Sequence, residues 1–385
     1  MNCLSIMFIA GEASGDALAS ELLRELRKKS PVPINVFGAG GGRLEAEGAV
    51  LSIDLTQHAV VGLWEVLKHY KTLKGLFMKL LTEAIEKRPQ VVILVDYPGF
   101  NLRFAKALKK QVREHPESGW NPKVVQFISP QIWAWHESRI RQIARDIDMI
   151  LSIFPFEKDW YQDRAPDLKV EYVGHPLLDR YKEYASRVGE RVTREPYHVL
   201  LLPGSREKEL ARHLPVMAKA VQLIAKNVKA KFLVVIPDEK LRSMVEASFS
   251  EIDVEICVRK LAESLLWADV AIASSGTVTM ECSYFQVPTV ILYKTSFLTA
   301  FLGRLFIKVK CIGMPNILSG NRHVYPEFIQ RNATPANLSK AVLRFLTQEE
   351  VRTQTQTDLQ AMLATLGGEG ACHRAAEKVL ALFEK

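Results

Sequence analysis

Two doubly wound α/β domains are what the sequence predicts, on three observations. The chain has 385 residues, which at about 100–200 residues per domain is enough for two. Short continuous runs rich in β-branched residues alternate with amphipathic stretches along almost the whole length, as expected of parallel strands buried on both faces with helices between them. The alternation breaks between Gly174 and Tyr197 and then restarts, so the pattern occurs twice.

In chain order, Leu4–Ala10 reads as the first strand. Asp16–Lys29 reads as a helix with Leu18, Leu22, Leu23 and Leu26 on one side. Ile34–Gly38, Val91–Val95, Val124–Ile128 and Met149–Ile153 are further strand candidates, and the helical segments between them complete βαβ units. His175-Pro176, the strongly charged Asp179–Arg194 and Glu195-Pro196 mark a crossing between domains. The second set of strands is His198–Leu202, Lys231–Ile236, Val254–Val258, Val270–Ala273 and Thr289–Tyr293, and the Gly-rich 367–370 precedes a last helix, Ala371–Glu384. The expected division is a first domain at 1–178, a crossing at 179–197, a second domain at 198–350 and a C-terminal helical segment at 351–385. Two Rossmann-like halves facing one cleft would result, with ligands outside the carboxyl ends of the strands.

Composition narrows the function classes. A chain that is 48% hydrophobic and 24% charged is neither disordered nor of low complexity. Cys3, Cys257, Cys282, Cys311 and Cys372 are scattered, without a C-x-x-C pair, which argues against a disulfide framework or zinc site and suits a reducing cytosol. No Lys or Arg precedes the apolar start, and Glu12 and Asp16 follow it, so a buried first strand is expected there and not a signal peptide. No stretch reaches the roughly 18 uninterrupted apolar residues of a bilayer span. The net charge of +8 suits nucleic acid, anionic lipid or phosphorylated substrates, but the charges are dispersed and no nucleic-acid module is recognisable.

The loops after the strands carry the candidate chemistry. Gly11-Glu12-Ala13-Ser14-Gly15-Asp16 is either an anion-accepting helix start or a tight turn with an Asp N-cap. Gly38–Arg43 invites a dinucleotide reading, but Arg43 stands where the third Gly of G-x-G-x-x-G belongs. Asp96, at the carboxyl end of Val91–Val95, is either a general base with a raised pKa or an Asx-turn ahead of Pro98-Gly99. Ser129–His136 brings two Trp and a His that either line a ligand wall or simply pack.

In the second half, Gly204, Ser205 and Arg206 offer a close approach, a helix cap and a forked cation for phosphate, whereas Glu207–Glu209 reads as a solvated helix face. Ser275, Gly276 and Thr277 open another helix as a diphosphate cradle, with Glu281 one turn inside it toward a ribose. The plain alternative is two capped helices.

The sequence shows no metal-binding pattern: Asp146-Ile147-Asp148 sits in a charged run that reads as a salt-bridged helix face, and neither H-E-x-x-H nor the P-loop lysine pattern occurs. Ala59–Leu81 mixes Val61, Leu63, Trp64 and Leu67 with Lys68, Lys71, Lys74 and Lys79, which is the composition of an interfacial helix on anionic lipid or of a core helix with a basic outer face. Phe297–Lys310, apolar with Arg304, Lys308 and Lys310, tilts toward lipid.

Taken in order, G-E-x-S-G-D, V-D-Y-P-G-F-N, S-P-Q-x-W-A-W, V-G-H-P, L-P-G-S-R, S-S-G-T-x-T-x-E and I-K-V-K-x-I-G-x-P-N resemble lipid-A-disaccharide synthase, an inverting glycosyltransferase family of the GT-B fold. The resemblance runs from about Phe8 to Gln330. It implies transfer of the diacylglucosamine unit of UDP-2,3-diacylglucosamine to 2,3-diacylglucosamine 1-phosphate, giving the β-1,6-linked disaccharide 1-phosphate and UDP, without metal or other cofactor. It further implies work at the cytoplasmic face of the inner membrane and a homodimer with exchanged C-terminal portions. By the same resemblance Asp96 would deprotonate the acceptor 6-hydroxyl. Arg206 and Ser275–Thr277 would hold the diphosphate, with Glu281 toward the ribose, and Asn316 would lie near the donor. Glu12, Ser14, Gly15 and Asp16 form the acceptor-side loop.

A UDP-sugar 2-epimerase would share the fold but has little use for basic apolar segments such as Ala59–Leu81. A catalytically silent nucleotide-sugar or lipid binder is the alternative outside enzymes.

Overall fold

The computed structural model describes residues 3–58, 70–189, 195–296 and 309–383. Runs with no polar residue, such as Val91–Val95, are buried along their full length, which is the environment that selects them as central parallel strands. In the first unit the strands are β1 (Leu4–Ala10), β2 (Ile34–Gly40), β3 (Val50–Asp54), β4 (Val91–Val95), β5 (Lys123–Phe127), β6 (Met149–Ser152) and β7 (Lys169–Tyr172). They form a seven-stranded sheet in the order β3-β2-β1-β4-β5-β6-β7. In the second unit β8 (Tyr197–Leu202), β9 (Ala230–Ile236), β10 (Glu255–Val258), β11 (Val270–Ser274), β12 (Thr289–Tyr293) and β13 (Glu327–Ile329) form a six-stranded sheet in the order β10-β9-β8-β11-β12-β13. Every recorded pairing is parallel, and the order reverses once in each sheet, between β1 and β4 and between β8 and β11. These are the two topological switch points, and both sheets are doubly wound as expected.

Each unit closes its own core. Met7, Ile9, Phe37, Leu94, Phe104 and Leu108 are buried together in the first, and Val199, Leu201, Leu214, Val234, Ile272 and Val342 in the second. The three strands absent from the sequence expectation, β3, β7 and β13, all lie at sheet edges and are only partly buried. An edge strand has one neighbour and needs no continuous apolar run, so its signal is weak.

The chain divides into Met1–Asp179 with Leu366–Lys385, and Arg180–Thr365. The expected helical segment 351–385 is therefore corrected: helix Glu349–Ala364 belongs to the second unit, and the chain then returns to the first. There helix Ala371–Leu380 lays Ala371, Cys372, Ala375, Ala376 and Val379 inward, beside helix Ala13–Lys29. Small side chains allow that close approach. The exposed Lys29–Glu377 pair at 2.8 Å adds little to it. Asp179 accepts the Ala371 N–H at 2.8 Å, capping a helix that has Gly370 and no side chain at its start.

Val61, Leu63, Trp64 and Leu67, and most of Phe297–Lys310, lie outside the described residues. Helix Tyr70–Lys87, which follows the first group, buries Leu80, Leu81 and Ala84 and leaves Lys71, Lys74 and Met78 exposed. Among the described residues no helix is long and apolar enough to cross a membrane.

Candidate active site

β1 and β4 pair from Ile6↔Val91 to Ala10↔Val95, so the loops after them leave the sheet side by side at the first switch point. Asp96 follows β4 directly. It and Tyr97 adopt left-handed backbone, with φ of 49° and 46°, before helix Pro98–Glu114 begins on its proline. Two consecutive non-glycine residues in that region are strained and must be held by their surroundings. Two buried amides do this: Asn101 Nδ2 donates to the Asp96 carbonyl at 2.7 Å and Gln126 Nε2 donates to it at 3.2 Å. The Asp96 N–H in turn donates to the Phe127 carbonyl at 2.9 Å.

The Asp96 side chain is half-buried. Burial pushes its pKa up to about 6, the negative charge of Glu12 pushes the same way, and the Tyr97 N–H pulls it back. Glu12, half-buried in the loop after β1, thus belongs to the same small site. Gly11 has no room for a β-carbon because the Tyr97 ring occupies that space. The G-E-x-S-G-D and V-D-Y-P-G-F-N segments meet there, at the first switch point.

Asp16 is a correction. It caps neither its own helix, whose N-cap is Glu12, nor faces out of the loop. Its buried carboxylate accepts the N–H groups of Gly41 at 2.7 Å, Arg43 at 3.0 Å and Leu44 at 3.2 Å. The start of helix Gly42–Ala46 is thereby capped from a distance, and a β-carbon on Gly41 would collide with that carboxylate. Gly40 and Gly41 leave room for the Asp16 carboxylate, and a β-carbon on Gly38 would strike the Phe8 carbonyl. Ser14 is exposed and Gly15 is buried within the helix.

The Ser129–His136 segment splits in two. Trp133 is buried and donates its Nε1–H to Glu157 at 3.0 Å, whereas Trp135 is 44% exposed beside His136, with Arg139 over its ring. Glu157 is fully buried, and burial pushes its pKa up to about 7. Asp146 and Asp148 are ion-paired with Arg145, Arg113 and Lys109, but not along one solvated helix face: Asp146 is buried at the end of helix Ile140–Asp146, Asp148 lies in the turn before β6, and Arg113 and Lys109 come from helix Pro98–Glu114.

In the second unit β8 and β11 are neighbours, paired from Val270↔Val199 to Ala273↔Leu202. The Gly204–Arg206 and Ser275–Thr277 loops therefore emerge together at the second switch point. Helix Glu207–Ala225 starts at Arg206 and helix Val278–Tyr284 at Thr277, and neither start has a side-chain cap. The first turns close tightly on themselves, Glu209 N–H donating to the Arg206 carbonyl at 2.9 Å, Thr279 N–H to that of Gly276 at 3.1 Å and Met280 N–H to that of Thr277 at 3.0 Å, and the positive end of a helix faces out of each loop. Arg206, Gly276 and Thr277 are exposed and Ser275 partly so.

Three details differ from expectation. Ser205 caps nothing; its N–H donates to the Glu209 carboxylate at 3.2 Å. Glu209 is not on a solvated face but reaches back over Gly204, whose φ of 122° and missing β-carbon make the space it fills. Asn316 is wholly buried and its amide is occupied: Nδ2 donates to the Tyr325 carbonyl at 2.8 Å and to Glu327 at 2.6 Å, and Oδ1 accepts the Tyr325 N–H at 2.8 Å. It braces the start of helix Met314–Leu318, together with Glu327, which accepts the N–H groups of Ile312 and Gly313 at 2.9 Å each.

Glu281 is buried one turn into its helix and already accepts a hydrogen bond from Tyr181 at 2.8 Å. Burial raises its pKa, and the Tyr181 hydroxyl and Arg180 oppose that. His213 was not singled out from the sequence, yet it ties two loops together. Its Nδ1 meets the Pro203 carbonyl at 2.8 Å and its Nε2 accepts the Lys294 N–H at 3.0 Å. Those partners fix a neutral ring with the proton on Nδ1, and burial lowers its pKa in keeping. A lone His on an apolar helix face gives no such signal, because its partners are backbone groups distant in sequence.

The family model described as Lipid-A-disaccharide synthetase matches residues 6–382. Among curated relatives, a lipid-A-disaccharide synthase of Trichlorobacter lovleyi is 35% identical over 391 residues, covering 99% of this chain and 98% of that protein. Another, from Myxococcus xanthus, is 36% identical over 388 residues, covering 98% and 97%. Among solved structures, a putative UDP-N-acetylglucosamine 2-epimerase from Listeria monocytogenes superposes with a TM-score of 0.65 at 15% identity, covering 99% and 96%. The calicheamicin glycosyltransferase CalG4 does so with a TM-score of 0.59 at 14% identity, covering 100% and 99%. At such identities these two speak for the fold alone. The chain belongs to the lipid-A-disaccharide synthase family, glycosyltransferases of lipid A biosynthesis built on the GT-B fold.

Proposed function

We propose that the first unit binds diacylglucosamine 1-phosphate, the second binds UDP-diacylglucosamine, and Asp96 is the general base of the transfer between them. Asp96 takes the proton of the acceptor 6-hydroxyl as that oxygen forms its bond to the anomeric carbon of the donor. The bond from that carbon to the UDP oxygen breaks on the opposite side, and the configuration inverts. The electron pair leaves on UDP, whose growing charge Arg206 and the Ser275–Thr277 loop stabilise. The observation that carries this assignment is the Asp96 carboxyl held at about 6 at the end of β4, a value suited to accepting a proton near neutral pH. Glu12, Ser14 and Gly15 form the acceptor-side loop, and Glu281 meets the ribose. Asp16 and Asn316 support these loops without touching substrate.

The decisive experiment is mass spectrometry of products from UDP-diacylglucosamine and the 1-phosphate acceptor with wild type and Asp96→Asn. A general base of this kind contributes about 10²–10⁴-fold, so the variant should lose turnover on that scale while keeping its affinity for UDP. Undiminished turnover would remove Asp96 from this role.

Attachment to the inner face of the membrane belongs to the same proposal, supported by the basic apolar composition of Ala59–Leu81. Detergent-sensitive binding to anionic vesicles tests it. A homodimer with exchanged C-terminal portions would place a partner's helix where Ala371–Leu380 now rests on its own chain's Ala13–Lys29. Light scattering of the purified protein reads out the dimer.

A further inference from the structure

The Glu281 carboxylate is not presented symmetrically. Oε1 accepts the Tyr181 hydroxyl at 2.8 Å and has the Arg180 guanidinium 3.9 Å away, whereas among the described residues Oε2 takes no hydrogen bond. Tyr181 is itself held. Its ring packs against those of Tyr184, Tyr284 and Phe285 at centroid separations of 6.2, 5.6 and 5.0 Å. Its main-chain carbonyl accepts the Tyr284 hydroxyl at 2.9 Å. A phenol fixed in this way can only donate to the carboxylate, which keeps Glu281 an acceptor and sets its rotation about the last torsion.

We infer that Tyr181 is a positioning residue for nucleotide recognition: by occupying Oε1 it presents Oε2 of Glu281 to a ribose hydroxyl and so makes the site select ribonucleotides over deoxyribonucleotides. The inference rests on the ribose role proposed for Glu281. A hydroxyl that a buried carboxylate is built to accept is discriminated strongly, because its absence leaves that carboxylate unpaired. Without the phenol the carboxylate turns freely and much of that discrimination goes.

The test is calorimetric binding of UDP, 2′-deoxy-UDP and 3′-deoxy-UDP to the full-length protein and to Tyr181→Phe, Glu281→Gln, the double variant and Tyr184→Phe. Tyr181→Phe keeps every ring contact, so the fold is retained. Wild type should prefer UDP over one deoxy analogue by about tenfold or more, the scale of a hydrogen bond to a charged group. Tyr181→Phe should reduce that ratio severalfold by weakening UDP alone, the double variant should match Glu281→Gln, and Tyr184→Phe, a hydroxyl lost from the same ring cluster, should leave the ratio intact. A ratio lost in Glu281→Gln but kept in Tyr181→Phe overturns the positioning role and spares the ribose role. A ratio kept in Glu281→Gln, or absent from wild type, overturns both.

Discussion

The side-chain amide of Gln126, buried in β5, donates to the main-chain carbonyl of Asp96 at 3.2 Å and also reaches the carbonyls of Phe127 at 3.3 Å and Ile128 at 3.2 Å. Ile128 is β-branched and has φ of 68°, so one amide braces strained backbone at the ends of both β4 and β5. Gln126→Leu should therefore lower kcat by about tenfold or more, as a small misplacement of a reacting group does, while the Kd for UDP stays unchanged. Steady-state kinetics beside UDP calorimetry check it; an unchanged kcat would show that Asp96 is held without this amide.

The raised Asp96 pKa sets a pH dependence. A general base must be ionised, so kcat/KM should fall about tenfold per pH unit below the pKa of about 6 and level off above it. Glu12→Gln removes a negative neighbour, which lowers the Asp96 pKa and moves this acid limb to lower pH. The pH profiles of wild type and variant measure the shift directly, and a limb that stays in place would separate Glu12 from the base.

Glu209 reaches back over Gly204 and accepts the Ser205 N–H, within the loop proposed to hold the diphosphate. Replacing it by Gln removes a negative charge a few ångströms from the proposed anion site, so UDP should bind several-fold tighter at low salt and the gain should shrink as salt screens it. Weaker binding would mean that Glu209 builds the loop more than it competes with the ligand.

Glu157 links stability to pH. Its folded-state pKa of about 7 lies above the ordinary value of 4.5, so its contribution is fully present below about pH 4.5 and is lost as pH rises through about 7. Urea unfolding of wild type should show that decline between pH 5 and pH 8. Glu157→Gln cannot titrate, and its curve should be flatter over the same window; parallel curves would place the charge elsewhere.

The local pattern carried most of the fold. β1, β4 and β12 coincide with their apolar runs residue for residue, because a strand buried on both faces has to be continuously hydrophobic. β3, β7 and β13 escaped because an edge strand makes no such demand. The loops carrying Glu12, Asp96, Arg206 and Ser275 were legible for a related reason: a residue just beyond a buried strand, ahead of a helix, is fixed at the carboxyl end of the sheet whatever the rest of the chain does.

What each polar side chain touches was settled only in three dimensions. Asp16 and Asn316 have the same local signature as Glu12 and Glu281, an acid or amide in a loop or at a helix start, yet both are turned inward onto backbone groups. Hydrogen-bond partners 9 to 81 residues away, as for Asn316, Asp16 and His213, leave no periodic trace. The order of apolar and polar residues thus determined the central strands of the two sheets and the loops that follow them. Packing decided which carboxylates stay available for chemistry, because a buried polar group must find its partner wherever the fold supplies one.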